Sequence, residues 1–218
     1  LSQNFEEEKE KLIQNLQSLM HRIFCKGNLM VDYTATQEGY TQMPELVEKL
    51  AGQLFDKPET KGHYAPVLEK KNEGFKSSAQ IQFVCRAGNY RKHGLEYTGA
   101  LKALKVLLSY DYLWNEVRVK GGAYGCMCAF GKTGGSYFVS YRDPNLQKTL
   151  DAYEGAAAYV RRFDADEREL TQYIIGAVSE MDTPMNPAAK GVYSLCGYMT
   201  GWTEEDAQRE RDQLLAVT

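Results

Sequence analysis

The sequence predicts an α+β fold: one mainly antiparallel sheet with helices packed on one face and a helical C-terminal tail. Three observations carry this expectation. Helix-like and strand-like periodicities alternate through the first half of the chain. Two strand patterns, Tyr124–Phe130 and Ser136–Arg142, are joined by Gly131-Lys132-Thr133-Gly134-Gly135, the signature of an antiparallel hairpin. From Leu146 onward the pattern is helical only. A hairpin followed by a helical tail argues against a doubly wound parallel sheet.

The elements follow in order. Phe5, Leu12, Leu16, Leu19, Met20 and Ile23 recur at helical spacing, so a helix is expected from about Phe5 to Cys25, stopped at Gly27. Leu29, Val31, Tyr33 and Ala35 alternate with Met30, Asp32, Thr34 and Thr36, which predicts a half-buried strand. A second helix begins near Pro44, whose fixed φ suits a first turn, and ends before Pro58. Lys57–Ser78, rich in Lys, Glu, Gly and Ser, reads as a surface loop. Ala79, Ile81, Phe83 and Cys85 alternate with Gln80, Gln82 and Arg86, predicting a strand with the first set inward. Leu95 to about Val117 reads as helix, stopped by Gly121 and Gly122. After the hairpin, Asp143-Pro144 opens a helix carrying Leu146, Leu150, Tyr153, Ala157 and Val160. Asp166-Glu167 opens the next, Pro184 and Pro187 interrupt the chain, and Thr203 caps the last helix with acids in its first turn.

Composition narrows the function classes. The chain has 218 residues, enough for a full hydrophobic core, and 43% hydrophobic with 25% charged residues is ordinary for a globular protein. No apolar run reaches the length of a membrane span, and Leu1–Glu10 is acidic and polar, unlike a secretory leader. The formal net charge of -3 disfavours a dedicated nucleic-acid binder. Neither nucleic acid nor membrane is expected as a partner. The five cysteines, Cys25, Cys85, Cys126, Cys128 and Cys196, are scattered and odd in number, which predicts free thiols in a reducing, cytoplasmic setting. The first residue is Leu, so the chain is expected to be part of a longer polypeptide.

Several motifs bear on chemistry. Cys126 and Cys128 share one face of a strand with Cα atoms ~6.6 Å apart, near the limit for a disulfide, and read as core residues. His21, His63 and His93 show no zinc-peptidase helix spacing, so no metal site is expected in this chain. The hairpin glycines lack the spacing of a phosphate loop and lead into a strand. The stretch from Arg86 to Lys120 is locally basic, while Asp164–Asp182 holds six acids against Arg168 alone. Such runs are commonly solvated faces; the functional alternative is a basic wall for a negatively polarised ligand such as peptide carbonyls or a carboxylate. The most informative segment is Leu113-Trp114-Asn115-Glu116-Val117-Arg118-Val119-Lys120-Gly121-Gly122-Ala123-Tyr124-Gly125. A helix ends at two glycines that let a ligand backbone approach, Arg118 offers donors to a carbonyl or carboxylate, and the Tyr124 hydroxyl is placed to stabilise an oxyanion.

That segment resembles the C-terminal half of the pitrilysin/insulinase-type zinc peptidases, and most the presequence protease branch. The resemblance rests on Arg118 and Tyr124, six apart, and on Ser136-Tyr137-Phe138-Val139-Ser140-Tyr141-Arg142-Asp143-Pro144. It extends to Pro187-Ala188-Ala189-Lys190-Gly191 and Gly201-Trp202-Thr203-Glu204-Glu205-Asp206-Ala207-Gln208-Arg209. The resemblance implies one C-terminal domain over residues 1–218, of the metallohydrolase type shared by LuxS and the mitochondrial processing peptidase. It implies a zinc metalloendopeptidase that hydrolyses unfolded peptides in an enclosed chamber. In that family an N-terminal half carries zinc through an inverted His-x-x-Glu-His motif. This sequence lacks the motif, so zinc belongs to the full-length enzyme, none is held by this chain, and the isolated chain is expected to be inactive. The site residues implied are Tyr124 for carbonyl polarisation and Arg118, Tyr124, Gly121 and Gly122 for substrate backbone. The partners implied are the peptide and the catalytic N-terminal half. A non-catalytic assembly domain of the same clan and a free-standing peptide-binding module are the competing readings.

Overall fold

The computed structural model describes residues 4–56, 67, 76 and 78–218. In chain order the described elements are α1 (Phe5–Ile23), α2 (Gln37–Tyr40), α3 (Met43–Ala51), β1 (Gln82–Asn89), α4 (Ala100–Leu107) running into a π-helix (Leu108–Val119), β2 (Gly125–Phe130), β3 (Gly135–Asp143), α5 (Gln147–Arg162), α6 (Glu167–Met181), α7 (Pro187–Thr200) and α8 (Glu204–Leu215). The α+β class is as the sequence predicts. The chain divides into two compact units, residues 1–73 with 185–199, and residues 74–184 with 200–218.

In the first unit, α1 forms as its periodicity dictates, with Glu6, Glu7 and Glu8 in its first turn and Arg22 in its last, both favourable to the helix dipole. Pro44 lies in the first turn of α3. The strand expected at residues 29–36 does not form. Alternation requires a partner strand to become a ladder, and none faces this segment among the described residues. Instead Asp32 and Thr34 lie against Gly191 of α7, so closely that a Cβ there would stand 2.1 Å from the Thr34 hydroxyl oxygen. Cys25 is buried beside a bridge to Phe55, and the Phe55 ring lies tilted against His21 with centroids 4.0 Å apart. The loop expected at Lys57–Ser78 falls almost wholly outside the described residues.

The second unit is a three-stranded antiparallel sheet in the order β1-β3-β2, covered on one face by α4, the π-helix and α5. Its core gathers Val84, Leu108, Leu113, Val117, Ala123, Cys128, Tyr153 and Ala156. Leu113 is completely buried, a contribution of about 1.5–3 kcal/mol for such a side chain. A second cluster joins Ala103 and Val106 of α4 to Ala177 of α6 and Leu214 of α8. The β1 face is inverted relative to expectation. Val84 points into the core and Phe83 is 79% exposed, because pairing with β3 places Val84 opposite the buried Ser140. Arg86 shares the inward face but lies at its rim, where it pairs with Glu154 of α5. The helix expected from Leu95 starts at Ala100, after a left-handed turn at Gly94. On α5 it is Ala156, not Ala157, that is buried.

The caps predicted for the tail are present. The Asp166 carboxylate accepts from the Glu169 N–H, and Thr203 and Asp206 form a reciprocal capping box at the start of α8. None of the helices among the described residues is long and apolar enough to cross a membrane.

Candidate functional site

The site forms where the π-helix hands over to β2. A π-turn holds more residues than an α-turn, and its i to i−5 bonding is seen at the end, where the Lys120 N–H donates to Asn115 O at 3.0 Å. The helix is then closed by nested bonds from Gly122 N–H to Arg118 O (2.9 Å) and from Ala123 N–H to Val117 O (3.2 Å). This is a Schellman-type cap with each bond one residue longer than usual, matching the widened turn. Gly122 takes the left-handed conformation, φ +80°, that such a cap requires. Gly121 lies so close to the helix that a Cβ would stand 2.4 Å from Val117 O. Both glycines are therefore explained by the turn itself.

This turn brings Arg118 and Tyr124 together. The Arg118 guanidinium donates to the Tyr124 carbonyl, lies 4.3 Å from the centre of the Trp114 ring and 5.7 Å from that of Tyr124. The Tyr124 side chain is 57% exposed, with its hydroxyl unbonded among the described residues. The Tyr141 ring meets Tyr124 edge-on at 5.5 Å. It does so by lying across Gly125, where a Cβ would stand 2.3 Å from the ring.

Other side chains, which the sequence does not mark as site residues, fix this geometry. Asp143, expected as a helix cap, is fully buried at the end of β3 and α5 starts later, at Gln147. Its carboxylate accepts from the Ser140 hydroxyl (2.6 Å), the Thr149 hydroxyl (2.8 Å) and the Asn145 N–H (2.8 Å). Asn145 in turn donates its side-chain amide to Gly121 O. Arg142, next to Asp143, has φ +48° and places its guanidinium 5.3 Å from the Tyr124 ring centre. The signal was present in the Tyr141-Arg142-Asp143-Pro144-Asn145 run, but the register that gives it meaning is not local.

Cys126 and Cys128 both face the helices as free thiols, Cys128 fully buried and within 3.4 Å of the Ser109 hydroxyl. Burial pushes the Cys126 thiol up to about 11, against a smaller lowering by the nearby Arg118 charge. The basic stretch is largely neutralised: Arg86 pairs with Glu154, Lys102 with Glu210, Lys105 with Glu180 and Lys120 with Glu116. It is not a continuous basic wall. The hairpin turn holds Lys132 against the Trp202 ring (3.4 Å) and Glu210 (3.3 Å), a packing role and not a phosphate cradle. Among the described residues, no group of three or more His, Cys, Asp or Glu is placed to hold a metal ion.

Sheet and helical cover make an α+β domain in which one turn brings Arg118 and Tyr124 together. Residues 72–218 match the family model described as PreP C-terminal domain. The chain belongs to that family, the presequence protease branch of the pitrilysin/insulinase peptidases. It is 41% identical to "Protein HypA" of Clostridium perfringens over 210 residues, which is 96% of this chain and 22% of that protein. It is 33% identical to "Presequence protease 1, chloroplastic/mitochondrial" of Arabidopsis thaliana over 221 residues, 100% of this chain and 20% of that protein. With a mitochondrial presequence protease of Aspergillus oryzae it shares 38% identity over 119 residues, 54% of this chain and 11% of the relative. The chain thus spans about a fifth of the length of the first two relatives.

Proposed function

We propose that this chain is the substrate-binding C-terminal domain of a zinc metalloendopeptidase that hydrolyses unfolded peptides in an enclosed chamber. In this reading the fold is of the metallohydrolase type shared by LuxS and the mitochondrial processing peptidase. Zinc and its general base are supplied by a catalytic half outside these residues. The observation that carries the reading is the exposed Tyr124 phenol, held beside Arg118 at a rigid turn. The chemistry assigned to this chain is electrostatic. The Tyr124 hydroxyl donates to the oxygen of a polarised peptide carbonyl, where negative charge develops during attack. The Arg118 donors not spent on the Tyr124 carbonyl hold a neighbouring backbone carbonyl of the peptide. The Gly121–Gly122 turn leaves no side chain in the way of that backbone.

The test is Tyr124→Phe in a polypeptide that joins this chain to the catalytic half. Phenylalanine keeps the ring and its contacts with Tyr141 and the two guanidinium groups, and removes only the donor. Turnover of an unstructured peptide is expected to fall by roughly tenfold to a thousandfold, the range for one lost oxyanion donor. Undiminished turnover would remove Tyr124 from the mechanism.

A further inference from the structure

A β-bulge aims a second cation at the same site. Between Val84 and Gln82, β1 advances two residues while β3 advances three, from Ser140 to Asp143, so β3 carries one extra residue at Tyr141–Arg142. Bulges redirect side chains next to functional sites. Here the redirected residue is Arg142, a non-glycine residue held at φ +48°, where L side chains are rarely found. The consequence is that its guanidinium lies over the Tyr124 ring, 5.3 Å from the centroid, on a residue that is itself exposed.

No acid among the described residues is paired with the charge at this position. Arg142 makes no ion pair among the described residues, whereas Arg86, Lys102, Lys105 and Lys120 all do. The adjacent carboxylate, Asp143, is buried and accepts from Ser140, Thr149 and the Asn145 N–H. Arg118 brings a second positive charge to the other contact of the Tyr124 ring, but it is engaged with the Tyr124 carbonyl and the Trp114 ring. The result is an exposed planar donor fork beside a tyrosine, with no acid among the described residues to fill it. A fork of this kind matches a carboxylate in two parallel hydrogen bonds.

We infer that Arg142 is a carboxylate receptor, selecting peptides that place an acidic side chain or their terminal carboxylate beside Tyr124. The inference rests on the peptide-binding reading above and adds a specificity-determining residue to it.

The experiment is fluorescence anisotropy of this chain with fluorescein-labelled unstructured peptides of one sequence in three forms. One carries Gln at a central position and an amidated C-terminus; one has Glu at that position; one has the free C-terminus. The wild-type chain is expected to bind one carboxylate form roughly tenfold more tightly than the neutral form, the lower range for a charge-assisted bond. The form preferred identifies the source of the carboxylate. Arg142→Asn removes the charge while accepting the left-handed backbone, and is expected to abolish the preference; Arg142→Lys restores part of it. If the wild type binds all three forms equally, or if Arg142→Asn weakens all three by the same factor, Arg142 is only a brace for Tyr124 and the inference is overturned. If no form binds, the peptide-binding reading fails along with it.

Discussion

The side-chain amide of Asn145, just past the end of β3, donates to the carbonyl of Gly121 on the turn that closes the π-helix. One hydrogen bond thus ties the two chain segments that supply the site. The Tyr124 N–H also donates to Arg142 O at 3.4 Å, joining the same two segments.

Asn145→Ala is therefore expected to cost about 1–2 kcal/mol in urea unfolding, because the Gly121 carbonyl loses its partner. Asn145→Asp, which replaces the donor with an acceptor, is expected to cost at least as much. Stabilities equal to wild type in both would show that the bond contributes nothing.

Gly122→Ala forces a Cβ into the left-handed position at φ +80°, at a cost of roughly 1–2 kcal/mol. Asn tolerates this region better, so Gly122→Asn is expected to lie between the two in thermal melts. The nearest side-chain atom to an added Cβ is Pro144 Cγ at 3.7 Å, so the effect is backbone strain and not a clash.

Asp143→Ala removes the acceptor shared by two hydroxyls and an N–H in a fully buried setting. Leaving several buried donors unpaired is expected to cost roughly 3 kcal/mol or more. In a double-mutant cycle, Asp143→Ala with Thr149→Val should be non-additive, because the second change removes one of the stranded donors.

These features differ in how far the sequence revealed them. The Thr203–Asp206 capping box and the Asp166 cap are local patterns, and local hydrogen bonding alone decides them. The Arg118-to-Tyr124 segment was legible for the same reason: a helix end, two glycines and a strand start lie within a few residues. Arg142 was not legible as a site residue, because its direction depends on a register slip between strands distant in sequence. The Val84/Phe83 inversion has the same origin. Both faces of β1 carry an apolar residue, and tertiary pairing chose between them. Residues 29–36 alternate well, yet alternation does not supply a partner strand. The π-helix left no mark on the apolar spacing that separates it from an α-helix.

The Cys126 thiol gives a pH-dependent prediction. Burial raises it from an ordinary 9.0 to about 11, so the folded chain holds this proton in a range where the unfolded chain has lost it. Between those values the folded state binds more protons, and stability falls as pH rises. Below pH 9 the contribution is fully present. Urea unfolding of wild type and Cys126→Ala across this window should give a steeper decline for the wild type. Parallel declines would show that the thiol is not the source.

The residues from Leu108 to Val119 wind more loosely than an α-helix, and this makes segment length a determinant of the site. Each residue of an α-helix advances the side chains by about 100° around the axis. Deleting a single residue anywhere in this stretch would let the helix relax to its ordinary pitch while rotating Arg118 away from Tyr124. Point substitutions on its exposed side leave that phase untouched. The stretch is therefore expected to accept changes of composition but not changes of count, and a library of one-residue deletions should separate folding from site assembly.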